Sequence, residues 1–265
     1  LFFAELVLMG TVTGFLAGLL GIGGGMIQVP FLSAMLAHRG VSAELSIKMA
    51  IATAMATIVF TALASVRAHH QRGAVRWDIV RAMSPGIVGG GLVSGAGAFA
   101  LVKGPALGIV FALFVGYSAT QMLLNRKPRR TRVLPPPWGQ AAVGSGIGLL
   151  SGLVGAGGAF MTVPFMLWCN VALHSAVGTA AALGFPIALA STLGYVIGGW
   201  SLPPSIPGAV GYLYLPALAI VAAASVVVAP LGARAAHAMN VQAFRRLFAV
   251  LLYGVAGYMA WRAFH

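Results

Sequence analysis

GLLGIGGGMIQVPFL (18–32) and GLVGAGGAFMTVPFM (152–166) are two copies of one pattern in a chain of 265 residues. At an offset of 134, Gly18, Gly21, Gly23, Gly24, Val29, Pro30 and Phe31 align with Gly152, Gly155, Gly157, Gly158, Val163, Pro164 and Phe165. The likeness extends outward. KMAIATA (48–54) matches HSAVGTA (174–180) at an offset of 126, pairing Lys48 with His174 and Thr53 with Thr179, and ALAS recurs at 62–65 and 188–191. VFALFVGYSATQM (110–122) resembles LFAVLLYGVAGYM (247–259). Self-similarity of this kind marks a duplication. The basic, proline-rich run NRKPRRTRVLPPP (125–137) cannot lie in lipid and reads as the join. The expected organisation is a first transmembrane repeat over 1–124, a linker over 125–138 and a second repeat over 139–265.

The chain is 60% hydrophobic and only 7% charged, with a mean hydropathy of +0.96. A soluble domain carries about 25% charged residues, so most of this surface must face lipid. At roughly 20 residues per membrane helix, the length holds about eight spans. Hydropathy puts them near 4–20, 47–66, 82–101, 105–124, 139–154, 175–197, 211–230 and 243–261. The first and fifth each run on into a Gly-broken apolar stretch. The expected fold is therefore an all-α, multi-pass integral membrane protein of two homologous four-helix halves, with the Gly-broken helices meeting near the midplane. The first apolar segment runs straight into this body, without the pattern of a cleavable signal peptide.

Sixteen lysines and arginines face three acidic residues. In a soluble protein this would suggest nucleic acid; here the cations stand at helix ends and in short loops, as topology determinants do. Four-span halves run the same way and place both ends of the chain in the cytoplasm. They set ten cations, including Arg67, Arg72, Arg76, Arg81 and Arg132, against six, including Arg39, Lys48, Lys103, Arg234, Arg245 and Arg246. The Arg234–Arg246 group sits badly outside, and a re-entrant Gly-broken stretch would invert the halves instead. Trp77, Trp138, Trp200 and Tyr214 read as interface anchors. Cys169, the one cysteine, lies in an apolar run and reads as a packed side chain.

Substrate sites in duplicated membrane folds lie where the halves meet, at interrupted helices. In GIGGGMIQVP, the glycines break the helix. A helix that restarts after them, at Met26 or Gln28, presents unpaired amides at its positive end, where an anion binds. Pro30 and Pro164 read as first-turn prolines, where no amide is missed. Glycine-rich faces also let membrane helices pack closely, but two copies, each followed by a polar residue and Val-Pro, favour a site. The candidate substrate-binding residues are Gly21, Gly23, Gly24, Gly25, Gln28, Pro30, Gly155, Gly157, Gly158, Thr162 and Pro164. Lys48, Thr53, His174 and Thr179 join them: a cation or histidine opens each second helix, five residues before a threonine. His69 and His70 read as a solvated loop cluster, Ser65 and Ser191 as helix-packing residues.

The three acidic residues, Glu5, Glu44 and Asp78, all lie near expected helix ends. Cation transporters bury carboxylates within spans, so a cation substrate is disfavoured. An interior-negative membrane expels an anion with about 2.3 kcal/mol per charge per 100 mV. No cofactor or metal site is expected, and no enzyme. Ser94 and Ser145 lie in glycine-rich text, but no histidine sits within a span to activate them.

The paired glycine motifs and the stretch 202–252 resemble the TauE/SafE sulfite exporter family across nearly the whole chain. The resemblance implies export or exchange of sulfite, sulfonates or thiosulfate-like anions. It carries over Gly21, Gly23, Gly24, Gly25, Pro30, Gly155, Gly157, Gly158, Pro164, His174 and Thr179. Relatives often have a Thr-Ser pair where this chain has Thr53-Ala54 and Thr179-Ala180. The expected function is export of sulfite or a related small sulfur-containing anion across a bacterial inner membrane. An anion channel of the same fold, or a permease for another small organic anion, is the alternative. The expected partners are that anion and the lipid bilayer, with no nucleic acid; a homodimer is compatible with the sequence.

Overall fold

The computed structural model describes residues 2–20, 24–124, 132–202, 206–238 and 241–264. Gly21 and Gly23, both expected in the site, lie outside the described residues. The first half of the chain forms α1 (Phe2–Leu20), α2 (Gly25–His38), α3 (Ala43–Gln71), α4 (Trp77–Leu101) and α5 (Gly104–Leu124). The second forms α6 (Pro137–Val154), α7 (Ala159–Trp168), α8 (Leu173–Gly198), a small hairpin of β1 (Ala209–Val210) and β2 (Leu213–Tyr214), α9 (Leu215–Ala238) and α10 (Val241–Phe264). A π-helical turn, Ser94–Ala98, interrupts α4.

Local chemistry sets several of these boundaries. Ser42 caps α3 by accepting from the Leu45 amide, and Glu44 follows in the first turn, where a negative charge suits the helix dipole. Pro137 stands at the first position of α6, where its missing amide costs nothing. Arg76 makes two bonds to Asp78, at 2.8 and 2.5 Å, across the start of α4.

Among the described residues, six helices are long and apolar enough to cross a membrane: α3, α4, α5, α8, and most of α9 and α10. Their outward faces carry large apolar side chains, among them Leu101, Leu113, Val227 and Leu247. This is an integral membrane protein that crosses the bilayer several times. Six of the eight expected spans are these helices. The other two, 4–20 and 139–154, are the first arms of helical hairpins: after each glycine break the chain turns back, and α2 and α7 return toward the end from which α1 and α6 came. Among the described residues each half thus has five helices rather than four. Arg39, just past α2, lies 3.4 Å from the centroid of the Phe2 ring at the start of α1. Arg132, just before α6, donates its amide to the Trp168 carbonyl at the end of α7.

The two hairpins enter from opposite ends of the bundle. Phe2 also touches Tyr214, beside the start of α9, so α1 and α9 set out from one end. Gly86 of α4 meets Ala141 of α6, while Gly152 of α6 meets Ser94 of α4, so that pair sets out together from the other. Of the two arrangements that the sequence left open, the halves take the inverted one: among the described residues the returning arms leave three full crossings per half, an odd number. Arg67, Arg72, Arg76, Arg81, Arg132 and Arg246 now stand at one end, with Arg39, Lys48, Lys103 and Arg262 at the other. The Arg246 difficulty disappears, because α10 begins at the Arg76 end and finishes where Arg262 reaches Ser33 and Ser46.

Helices from different halves pair closely. α1 lies along α9, α6 along α4, α5 against α10, and α3 against α8. Glycine makes the first two approaches: a methyl group on Gly86 would run into the Ala141 carbonyl, and one on Gly18 into that of Ala229. Trp77, Trp138 and Trp200 are exposed near helix ends as expected, but Tyr214 is buried, accepting a bond from Arg39 instead of reaching an interface. Cys169 is buried, and burial pushes its thiol pKa up.

Gly86→Ala should lower the melting temperature by overpacking, about 1–3 kcal/mol. Gly89→Ala, where nothing lies within 4 Å, should leave it unchanged or raise it. Thermal unfolding of the two variants in one detergent tests the pairing of α4 with α6; equal melting temperatures would contradict it.

Candidate functional site

The tips of the two hairpins meet. A Cβ added to Gly25, the first residue of α2, would sit 2.5 Å from the Gly155 carbonyl oxygen in the α6–α7 turn. Ile58, near the middle of α3, flanks both tips: it lies 3.1 Å from that Gly25 position and 3.3 Å from the corresponding one on Gly157. Gly184, near the middle of α8, stands 3.5 Å from the Gly157 carbonyl by the same measure. Gly25, Gly155, Gly157 and Gly158 are buried, and Gly24 is half-buried.

Backbone geometry at the second tip requires glycine. Gly155 ends α6 at φ +71°, and Gly158 caps α7 at φ +74°, in the left-handed region that costs other residues energy. Gly158 turns its carbonyl inward to accept from the Met161 and Thr162 amides. Gly24 does the same for Ile27 and Gln28 at the first tip. The opening amides of each helix, Gly25 and Met26, Ala159 and Phe160, have no acceptor within their own helix. Two positive helix ends thus face the interior beside each other.

Pro30 and Pro164 are not first-turn residues. Each stands in the second turn, because the helices restart at Gly25 and Ala159, earlier than the apolar pattern suggests. A proline there donates nothing to the carbonyl four residues back, Met26 or Phe160. Pro30 is buried and Pro164 exposed.

Gln28 and Thr162 are both fully buried, and both point into the structure of their own tip. Gln28 donates through Nε2 to Thr13 at 3.1 Å and accepts from Thr57 at 2.6 Å. Thr162 donates to the Gly158 carbonyl at 3.0 Å. Thr53 and Thr179 bridge the halves instead: Thr53 Oγ1 accepts from the Tyr214 amide and Thr179 Oγ1 from the Arg76 amide, each at 3.0 Å. Lys48 is not brought to the tips. Its Nζ donates to the Ala100 carbonyl at 3.2 Å and pairs with Glu44 at 3.6 Å, at the Arg39 end. His174 is exposed in the first turn of α8. Thr13 and Thr57 escaped sequence reading; the only hint was a threonine within reach of Gln28 on each neighbouring helix.

This geometry joins a family comparison. The description Sulfite exporter TauE/SafE matches residues 6–259. The chain belongs to that family. A "Probable membrane transporter protein" of Haemophilus influenzae is 34% identical over 251 residues, covering 94% of this chain and 95% of its own length. Two Bacillus subtilis proteins, "Probable membrane transporter protein YdhB" and "YunE", are 25% and 29% identical over 74% and 62% of this chain, and 79% and 67% of their own lengths. No solved structure matches. This TauE/SafE protein is a membrane transporter and not an enzyme, in keeping with its apolar, helical surface.

Thr179→Val should strand the buried acceptor's partner, the Arg76 amide, and destabilise the fold by about 1–3 kcal/mol. Thr179→Ser, which keeps the oxygen, should stay near wild type. Thermal unfolding reads the difference; a Val variant as stable as the Ser variant would show that the bond contributes nothing.

Proposed function

We propose that this transporter exports sulfite or a related small sulfur-containing anion, a sulfonate or thiosulfate, across a bacterial inner membrane. The anion binds between the hairpin tips. The contact of Gly25 with Gly155 carries this reading: two helix N-termini, from opposite ends of the chain's path, open on one buried point midway along α3 and α8. Helix N-termini in such broken elements favour anionic groups. The three acidic residues all stand near helix ends, which leaves no buried carboxylate to repel the anion or bind a cation.

The two halves arise from a duplication, 1–124 and 139–265, and their opposite directions suit alternating access by rocking about the tips. The Arg76 end faces the cytoplasm, since most cations gather there and the 125–131 link, with Arg126, Lys127, Arg129 and Arg130 in its sequence, joins two helices that end on that side. Bacterial relatives support the inner membrane.

Thermal stabilisation of purified protein against sulfite, thiosulfate, sulfoacetate, sulfate and chloride tests the substrate. A shift with a sulfur anion that is lost in Gly24→Val and Gly158→Val is the expected result; no shift with any of them would sink the reading. Saturating uptake in proteoliposomes separates a transporter from a channel. For orientation, Ala43→Cys should react with an impermeant maleimide in intact cells and Gln71→Cys should not, native Cys169 staying buried and silent. The reverse pattern would invert the topology.

A further inference from the structure

Ile58 is buried and touches both hairpin tips at once. Its Cδ1 lies 3.1 Å from a Cβ built on Gly25; its Cγ2 and Cδ1 lie 3.3 and 3.6 Å from one built on Gly157. The tips themselves are closed on each other. That Gly25 Cβ would stand 2.5 Å from the Gly155 carbonyl oxygen, which leaves no room for an ion between them. An anion passes only when the tips part, and Ile58 stands at the seam where they do. Its position is fixed from two directions. Thr57, its neighbour, donates to Gln28 Oε1 at 2.6 Å and so ties this turn of α3 to the first turn of α2. A β-branched side chain within a helix also keeps largely to one χ1 rotamer, so Ile58 makes a stiff wall.

The second half has no such wall. KMAIATA and ALAS match HSAVGTA and ALAS at one offset, 126, on either side of the position, so Ile58 corresponds to Gly184 without a gap. A Cβ on Gly184 would meet only the Gly157 carbonyl oxygen at 3.5 Å and Ala62, one turn after Ile58 on α3, at 3.8 Å. A methyl group fits there, yet the backbone is left bare. The tie is missing as well: Leu183 stands where the first half has Thr57, and Thr162, which matches Gln28, bonds the Gly158 carbonyl of its own tip. Bulk at the seam is therefore unequal, an isoleucine on α3 against bare backbone on α8.

We propose that Ile58 sets the size of the anion this transporter carries, as the rigid wall of the passage that opens when the tips part, with Gly184 as the open wall facing it. This rests on the anion reading above and chooses among its substrates: a compact inorganic oxyanion such as sulfite passes, and a sulfonate with a carbon tail is held back. Apolar walls discriminate in this way by volume, and one methylene changes the discrimination by about tenfold or more.

Uptake of sulfite and of sulfoacetate into proteoliposomes holding the full chain tests this, read as the ratio of the two rates beside the melting temperature of each variant. The wild type should favour sulfite. Ile58→Val, which removes Cδ1 alone, and Ile58→Ala should raise the sulfoacetate-to-sulfite ratio in that order, about tenfold for alanine. Gly184→Ala, whose methyl group has space, should fold as the wild type does and lower the ratio. Ile47→Val, a buried isoleucine of the same helix that packs on Gly108 of α5, should leave it unchanged. A merely structural Ile58 would lower both rates together with the melting temperature and keep their ratio. An unmoved ratio in Ile58→Val and Gly184→Ala, or a wild type that favours sulfoacetate, overturns the proposal while the hairpin-tip reading stands. Wild-type protein that carries neither anion removes both.

Discussion

A broken helix in hydrocarbon exposes amides and carbonyls that lipid cannot satisfy, and this fold answers that constraint by bringing its two breaks together. Gly25 and Gly155 touch, between the midpoints of α3 and α8, so the interrupted backbone of each hairpin is covered by the other and by the two most buried helices. The meeting point also explains the lengths: α7, at ten residues, spans roughly 15 Å and needs to reach only from the bundle's middle to one end.

The rest of the packing follows from holding the tips there. Each outer hairpin arm is carried by a helix of the opposite half, α1 by α9 and α6 by α4, through glycines that admit a backbone where a methyl group would not fit. With no water to drive helices together, such small-residue contacts and their dispersion forces hold them. Polar groups are spent sparingly: the Thr13–Gln28–Thr57 chain pins one tip, and the Gly158 carbonyl, accepting from Met161, Thr162 and the Thr162 hydroxyl, organises the other.

Much of this was legible in the sequence because it depends on residue type alone. Composition announced the membrane, and the twin glycine motifs announced two breaks in matching places. What the sequence could not convey was direction. A glycine run is equally compatible with a kink in one spanning helix and with a reversal, and hydropathy treats both alike, which is why α2 and α7 merged into the spans before them. The same ambiguity moved Pro30 and Pro164 from the second turn to the first. Side-chain destinations were harder still. Gln28 and Thr162 look like free donors until their neighbours are known, and Lys48 looks like a site cation until Glu44 and the Ala100 carbonyl are seen to hold it. Ser151 sat within the repeated motif, yet only its packing reveals an unsatisfied hydroxyl.

The two threonine bridges have a mechanical meaning. Thr53 and Thr179 each reach out from a central helix to grip the other half's backbone, one toward each end of the bundle, at equal distance. Under the rocking proposed above, tilting one half against the other would strain one grip and slacken its counterpart, like opposed latches on a seesaw. A single hydroxyl bond contributes about 1 kcal/mol net, so either catch is light enough for thermal motion to lift.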